Sequence, residues 1–97
     1  MCPWFASKHE GTAFIRETAE GLVAGTVDPN TGANAIWHTA AMNSFEFDLR
    51  PLQPLIDAGD RLDLLPLSDP RRPPLEAEVV RLAGELLANE AFWAQGT

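Results

Sequence analysis

Apolar residues recur at helical spacing through the last quarter of the chain. At about 100° per residue, five of them fall on one face of a helix. These residues are Leu75, Val79, Leu82, Leu86 and Trp93. Pro73 and Pro74 suit the first turn, where a missing backbone N–H costs little. The pattern predicts an amphipathic α-helix over residues 75–94, packed against a broad surface such as a sheet.

The middle of the chain shows shorter apolar segments that favour β-structure. The candidate strands are residues 12–17, 22–27, 33–39, 44–49 and 61–67. The clearest alternation puts Phe45, Phe47 and Leu49 on one face, as in a half-buried strand. The sequence Asp-Pro-Asn-Thr-Gly at 28–32 predicts a hairpin turn, because proline, asparagine and glycine suit the dihedral angles of such turns.

A helical interpretation of residues 12–27 competes with the two strands. Its apolar residues also fit a period of 3.6. They are Phe14, Ile15, Ala19, Leu22 and Val23. Gly21, Gly25 and the predicted turn after Val27 favour strands, because glycine weakens a helix interior.

These elements predict a single domain over residues 1–97 with an α+β fold. A small antiparallel β-meander of three or four strands would pack against the C-terminal helix. Residues 1–11 would form an N-terminal arm, and 12–67 would be mostly β with a short helix near 51–58. Residues 68–74 would form a proline-rich connector to the helix at 75–94.

Composition restricts the classes of partner. A net charge of −7 disfavours direct nucleic-acid binding. No apolar segment approaches the roughly 20 residues that a membrane span needs. One cysteine cannot form an internal disulfide, and no signal-peptide pattern is present. The expected location is therefore the cytoplasm.

Motifs that would support chemistry are absent from the sequence. Cys2, His9 and His38 lack metal-ligand spacing, so we expect no metal site, no cofactor and no catalytic residue. The alternative is a small enzyme or ligand-binding domain that uses His38 with Asp48 or Glu46.

Aromatic residues near both ends are the candidate contacts for a partner. Trp4 and Phe5 lie in a terminal segment that would otherwise fray. If the C-terminal helix continues to Trp93, Phe92 projects on the polar face beside Arg81 and Glu85. These five residues (Trp4, Phe5, Phe92, Arg81 and Glu85) form the predicted partner-binding set.

The sequence-based hypothesis is a non-enzymatic protein–protein interaction module with a larger protein partner. It would be a small acidic inhibitor, an immunity-type or anti-defence protein, or an accessory subunit of a larger complex. Besides the enzyme alternative above, a homo-oligomeric scaffold that associates through the C-terminal helix is the third hypothesis.

Overall fold

The structure is a computed structural model, and it describes residues 8–42 and 50–94. Five α-helices occupy these ranges: α1 (Lys8–Ala24), α2 (Pro29–Met42), α3 (Gln53–Asp63), α4 (Arg72–Leu87) and α5 (Glu90–Ala94). A turn of 3₁₀-helix, Arg50–Leu52, precedes α3. The described ranges contain no β-strand, so the predicted α+β fold with a β-meander is wrong.

Each predicted strand that lies within the described residues is helix or turn. Residues 12–17 and the first half of 22–27 belong to α1, and residues 33–39 belong to α2. The segment 61–67 finishes α3 and then turns. The alternating segment 44–49 lies outside the described residues. The competing helical interpretation of 12–27 therefore describes α1 correctly up to Ala24.

Gly25 and the segment 28–32 favoured strands in the sequence, but they end α1 and begin α2. Gly25 has φ of +79°, a left-handed conformation that glycine adopts without a Cβ clash. The N–H of Gly25 donates to the carbonyl of Leu22, and that of Thr26 donates to the carbonyl of Gly21. This pair of hydrogen bonds is the Schellman motif that closes many α-helices.

Asp28 then caps the N-terminus of α2. Its carboxylate Oδ2 accepts hydrogen bonds from the backbone N–H of Thr31 at 3.1 Å and from the Thr31 hydroxyl at 3.3 Å. Pro29 occupies the first helical position, where its fixed φ and missing N–H do no harm. The segment at 28–32 is consequently the start of a helix rather than a hairpin turn.

The four longer helices form a bundle around one hydrophobic core. α1 packs on α2 and α4, and α3 packs on the same two helices from the other side. Successive helices alternate in direction: Leu22 lies against the start of α2, and Asn34 near that start binds Asp63 at the end of α3. The buried aliphatic residues of the core come from all four helices. The largest of them are Ile15, Leu22, Ile36, Leu55, Ile56, Leu62, Val79 and Leu86, and the 3₁₀ turn adds Leu52.

Close helix contact explains why small residues occupy the α2–α3 interface. A Cβ added at Gly59 would lie 2.6 Å from the Cβ of Ala33, so the two helices approach too closely for a larger residue. Thr39, buried in α2, satisfies its hydroxyl by donating to the carbonyl of Ala35 at 2.9 Å.

The C-terminal helical segment is interrupted. α4 begins at Arg72, within the predicted proline-rich connector, with Pro73 and Pro74 in its first turn. It ends at Leu87, and the short α5 follows after Ala88 and Asn89. The predicted single helix over 75–94 is therefore two helices, and the residues after Leu87 do not continue the face of α4.

Candidate functional site

Phe92 is buried, contrary to the expectation of an exposed aromatic. Its exposed fraction is 1%, and its ring meets that of Trp93 edge-on with centroids 4.8 Å apart. The Trp93 indole Nε1 donates to the carbonyls of Leu86 and Leu87 at 2.9 and 3.2 Å, which caps the end of α4. Because the break at Ala88 resets the helical register, both aromatic side chains turn into the core.

The other predicted contacts divide into two groups. Trp4 and Phe5 lie outside the described residues. Arg81 and Glu85 are exposed on α4, where the Arg81 guanidinium pairs with the carboxylates of Glu78 and Glu85. These pairs raise the pKa of Arg81, with the hydrogen bond that it donates to Glu78 as the largest cause. Arg81 is thus already neutralised by its own helix.

His38, the residue of the enzyme alternative, lies exposed on α2. Its ring meets the Trp37 ring edge-on, with centroids 4.9 Å apart. The carboxylates proposed to act with it, Glu46 and Asp48, lie outside the described residues. Within residues 8–42 and 50–94, no three His, Cys, Asp or Glu side chains come together as a metal site would require.

Among residues 11–42 and 50–94, the most exposed large apolar side chains lie in the turn between α3 and α4. Leu64 is 82% exposed and Leu67 is 90% exposed. Neither leucine continues the buried face of α3. Leu64 follows buried Leu62 by two residues, which places it about 200° around the helix. Neither leucine contributes apolar burial to the fold of the chain.

This turn is ordered by polar contacts that do not involve the exposed leucines. The guanidinium of Arg72, only 6% exposed, donates from Nη1 to the carbonyl of Leu62 at 2.9 Å and to that of Leu65 at 3.0 Å. These bonds satisfy carbonyls at the end of α3 and tie them to the start of α4. Glu76 lies 4.0 Å away, on the next turn of α4, and supplies a carboxylate for the buried cation.

A second polar clamp lies one residue earlier. Arg71 binds Asp69 through two hydrogen bonds, Nε to Oδ1 at 3.0 Å and Nη2 to Oδ2 at 2.8 Å. The backbone N–H of Arg71 also donates to Asp69 Oδ1 at 2.8 Å. The side-chain hydrogen bond from Arg71, followed by the backbone one, lowers the pKa of Asp69 to about 2.

A shallow, open hollow of about 440 Å³ adjoins the turn. Its lining residues are Arg61, Leu64, Leu65, Arg71 and Leu75. With Leu67, these residues define the corner patch. It combines the exposed Leu64 and Leu67 and the half-buried Leu65 and Leu75 with two arginines and no lining carboxylate, on a strongly acidic chain.

The adjoining hollow along α3 and α4 has a different character. It measures about 450 Å³ and shares Arg61 and Leu75 with the corner patch. Its lining adds Asp57, Glu78 and Arg81, so its charges are mixed. Of these two hollows, only the one at the corner patch is lined by arginines without a lining carboxylate.

Sequence reasoning missed Leu64 and Leu67 because it assigned residues 61–67 to a strand. The sequence contained a signal for the end of a helix here. If a helix ends near Gly59 or soon after, the segment Leu64-Leu65-Pro66-Leu67 places three leucines next to a proline, which breaks helices. Apolar residues that follow a helix end either pack back on the core or stay exposed, and the tertiary structure decides between these outcomes.

Two findings complete the description. No helix in the described ranges is long and apolar enough to cross a membrane. Comparison with known proteins finds no matching family model, no matching curated protein and no matching solved structure.

Proposed function

We propose that this chain is a non-enzymatic protein–protein interaction module that binds a larger protein partner through the corner patch. The observation that carries the proposal is the near-complete exposure of Leu64 and Leu67 in a turn whose order comes from Arg72 and Asp69. Apolar side chains that the fold leaves in water become favourable contacts when a partner covers them.

A small acidic inhibitor, immunity-type or anti-defence protein, or an accessory subunit, fits this proposal, because such proteins act by occupying a surface rather than by chemistry. The proposal assigns the action to the cytoplasm, since the sequence has one cysteine and hence no internal disulfide.

The test compares partner capture by the wild-type chain with capture by the double variant Leu64→Ser/Leu67→Ser. Tagged wild-type protein should retain a stoichiometric partner from a lysate of its source organism, and the double variant should lose it. Because both leucines are exposed, the variant should keep its free energy of unfolding within about 0.5 kcal/mol, as measured by urea denaturation.

Val23→Ser/Trp37→Ser is the matched control. These residues are 49% and 44% exposed and lie on α1 and α2, so the control also removes two exposed apolar side chains. It should retain the partner. A partner that the Leu64→Ser/Leu67→Ser variant still captures would refute the proposal, as would a wild-type chain that captures none and elutes as a lone monomer.

A further inference from the structure

Resting on the proposed function, we infer that the corner patch binds an acidic amphipathic segment of a partner protein. Apolar side chains of that segment would cover Leu64 and Leu67, and a carboxylate would pair with Arg61. Arg61 would then be the residue that selects an acidic partner.

The hollow of the corner patch is lined by arginines and leucines, whereas the chain as a whole is acidic. The sequence contains 14 Asp and Glu against 7 Lys and Arg. Two of those seven cations, Arg61 and Arg71, line a hollow in which every other lining residue is leucine. An apolar hollow lined by cations on an acidic protein favours an acidic segment, and it attracts a basic segment less than the rest of the surface does.

The two arginines differ in their availability. The Arg71 guanidinium is engaged by both carboxylate oxygens of Asp69. Arg61 is exposed at the end of α3, and its guanidinium makes no hydrogen bond or ion pair with any side chain in residues 11–42 and 50–94. Arg61 is thus ready to pair with a carboxylate from another molecule, whereas Arg71 must first leave Asp69.

The neighbouring leucines increase the value of such a pair. A partner that covers Leu64 and Leu75 also excludes water from the adjacent Arg61 guanidinium, which lowers the local dielectric and strengthens the ion pair. The same leucines disfavour a nucleic acid, whose phosphates would meet Arg61 but would leave the apolar side chains uncovered, and the net charge of −7 would repel it.

The probe for this inference is a displayed library of random linear peptides, selected on the wild-type chain. Peptides that also bind Leu64→Ser/Leu67→Ser are removed by counter-selection. The remaining peptides should combine Leu, Ile or Phe with Asp or Glu at higher frequency than the starting library does, and should contain few Lys and Arg.

Three single variants then measure the charge preference on one enriched peptide. Arg61→Gln should weaken binding about fivefold, in the range of an exposed ion pair of about 1 kcal/mol. Asp69→Asn should tighten binding about twofold to fivefold, because it releases the Arg71 guanidinium while Asn still accepts the backbone hydrogen bond. Arg81→Gln changes the net charge by the same amount as Arg61→Gln, but Arg81 is already paired, so binding should change less than twofold.

The outcomes separate this inference from the proposed function. Enriched peptides that depend on Leu64 and Leu67 but show no excess of acids, or that bind Arg61→Gln as tightly as wild type, would overturn the inference and leave the proposed function standing. A selection that yields no peptide sensitive to Leu64→Ser/Leu67→Ser would overturn both. A dimer of the wild-type chain in light scattering that Leu64→Ser/Leu67→Ser dissolves would make the occupant a second copy, which also overturns the inference.

Discussion

The α1–α2 corner and the α3–α4 corner of the bundle are built in different ways. In the α1–α2 corner, Gly25 closes one helix and Asp28 opens the next, with local hydrogen bonds accounting for both. The α3–α4 corner is longer, leaves Leu64 and Leu67 in water, and relies on Arg72 to join its two helices. The first corner is explained by folding alone, whereas the second contains apolar residues that folding does not require.

This difference shows how a candidate site can be found without a motif. A residue that satisfies a cap, a turn or the core has a structural reason to be present. Leu64 caps α3 through its backbone N–H, but the side chains of Leu64 and Leu67 serve no cap, turn or core.

The largest effect should come from Arg72, which holds the α3–α4 corner. Arg72→Leu should lower the free energy of unfolding by about 3 kcal/mol, because it removes two charge-assisted hydrogen bonds to otherwise covered carbonyls. Urea denaturation measures the loss. The neighbouring Arg71→Leu is the control and should cost clearly less than Arg72→Leu, since Arg71 is exposed. Equal losses of stability for the two variants would show that Arg72 does not hold the α3–α4 corner more firmly than Arg71 does.

The next effect tests the α1–α2 corner. Gly25→Ala should lower the free energy of unfolding by about 1–2 kcal/mol, because alanine at φ of +79° brings its Cβ against the backbone. Gly84→Ala is the matched control in the interior of α4, where an added Cβ meets only Val23 at 4.0 Å. It should stabilise the protein by up to about 1 kcal/mol, and the same sign for both substitutions would contradict the Schellman assignment.

Asp28 should have a smaller effect in the same corner. Asp28→Ala should lower the free energy of unfolding by about 1 kcal/mol, because it removes the carboxylate that accepts the N–H of Thr31. Asp28→Asn retains an acceptor oxygen and should keep most of that stability. If Asp28→Asn destabilises as much as Asp28→Ala, the cap does not account for the start of α2.

The smallest effect is the pH dependence of the Asp69–Arg71 pair. The pKa of Asp69 is lowered from 3.8 to about 2 in the folded chain, so the pair stabilises the fold at pH above 3.8. That contribution should disappear as the pH falls through about 2, where the folded carboxyl takes up its proton. Thermal unfolding of wild type and Asp69→Asn should therefore differ at neutral pH and converge near pH 2. A difference that persists unchanged at pH 2 would mean that the carboxylate charge is not its source.

The partner-binding set shows how far periodicity can locate a site. Phe92 was assigned to the polar face by extending one helical register from Leu75 to Trp93, and the break after Leu87 invalidates that extension. Leu64 and Leu67 were assigned to a strand, where alternate residues face the core, and they are instead exposed in a turn. Periodicity assigns a face only within one uninterrupted element, so residues beyond a helix end cannot be placed by it.

The sequence by itself predicted a helix in the last quarter of the chain and placed Val79 and Leu86 in the core, because their spacing and the nearby Pro73 and Pro74 are local signals of one helix. It placed the start of that helix at residue 75, whereas α4 begins at Arg72. It also contained the cap residues Gly25 and Asp28, but glycine and Asp-Pro serve hairpin turns equally well. Only the tertiary structure decided between strands and helices for residues 12–39, because burial of Ile15 and Ile36 against the other helices rewards the helical register over the alternating one. The same packing decided that Phe92 is covered and that Leu64 and Leu67 are not, since burial depends on which neighbours a folded chain brings to each side chain.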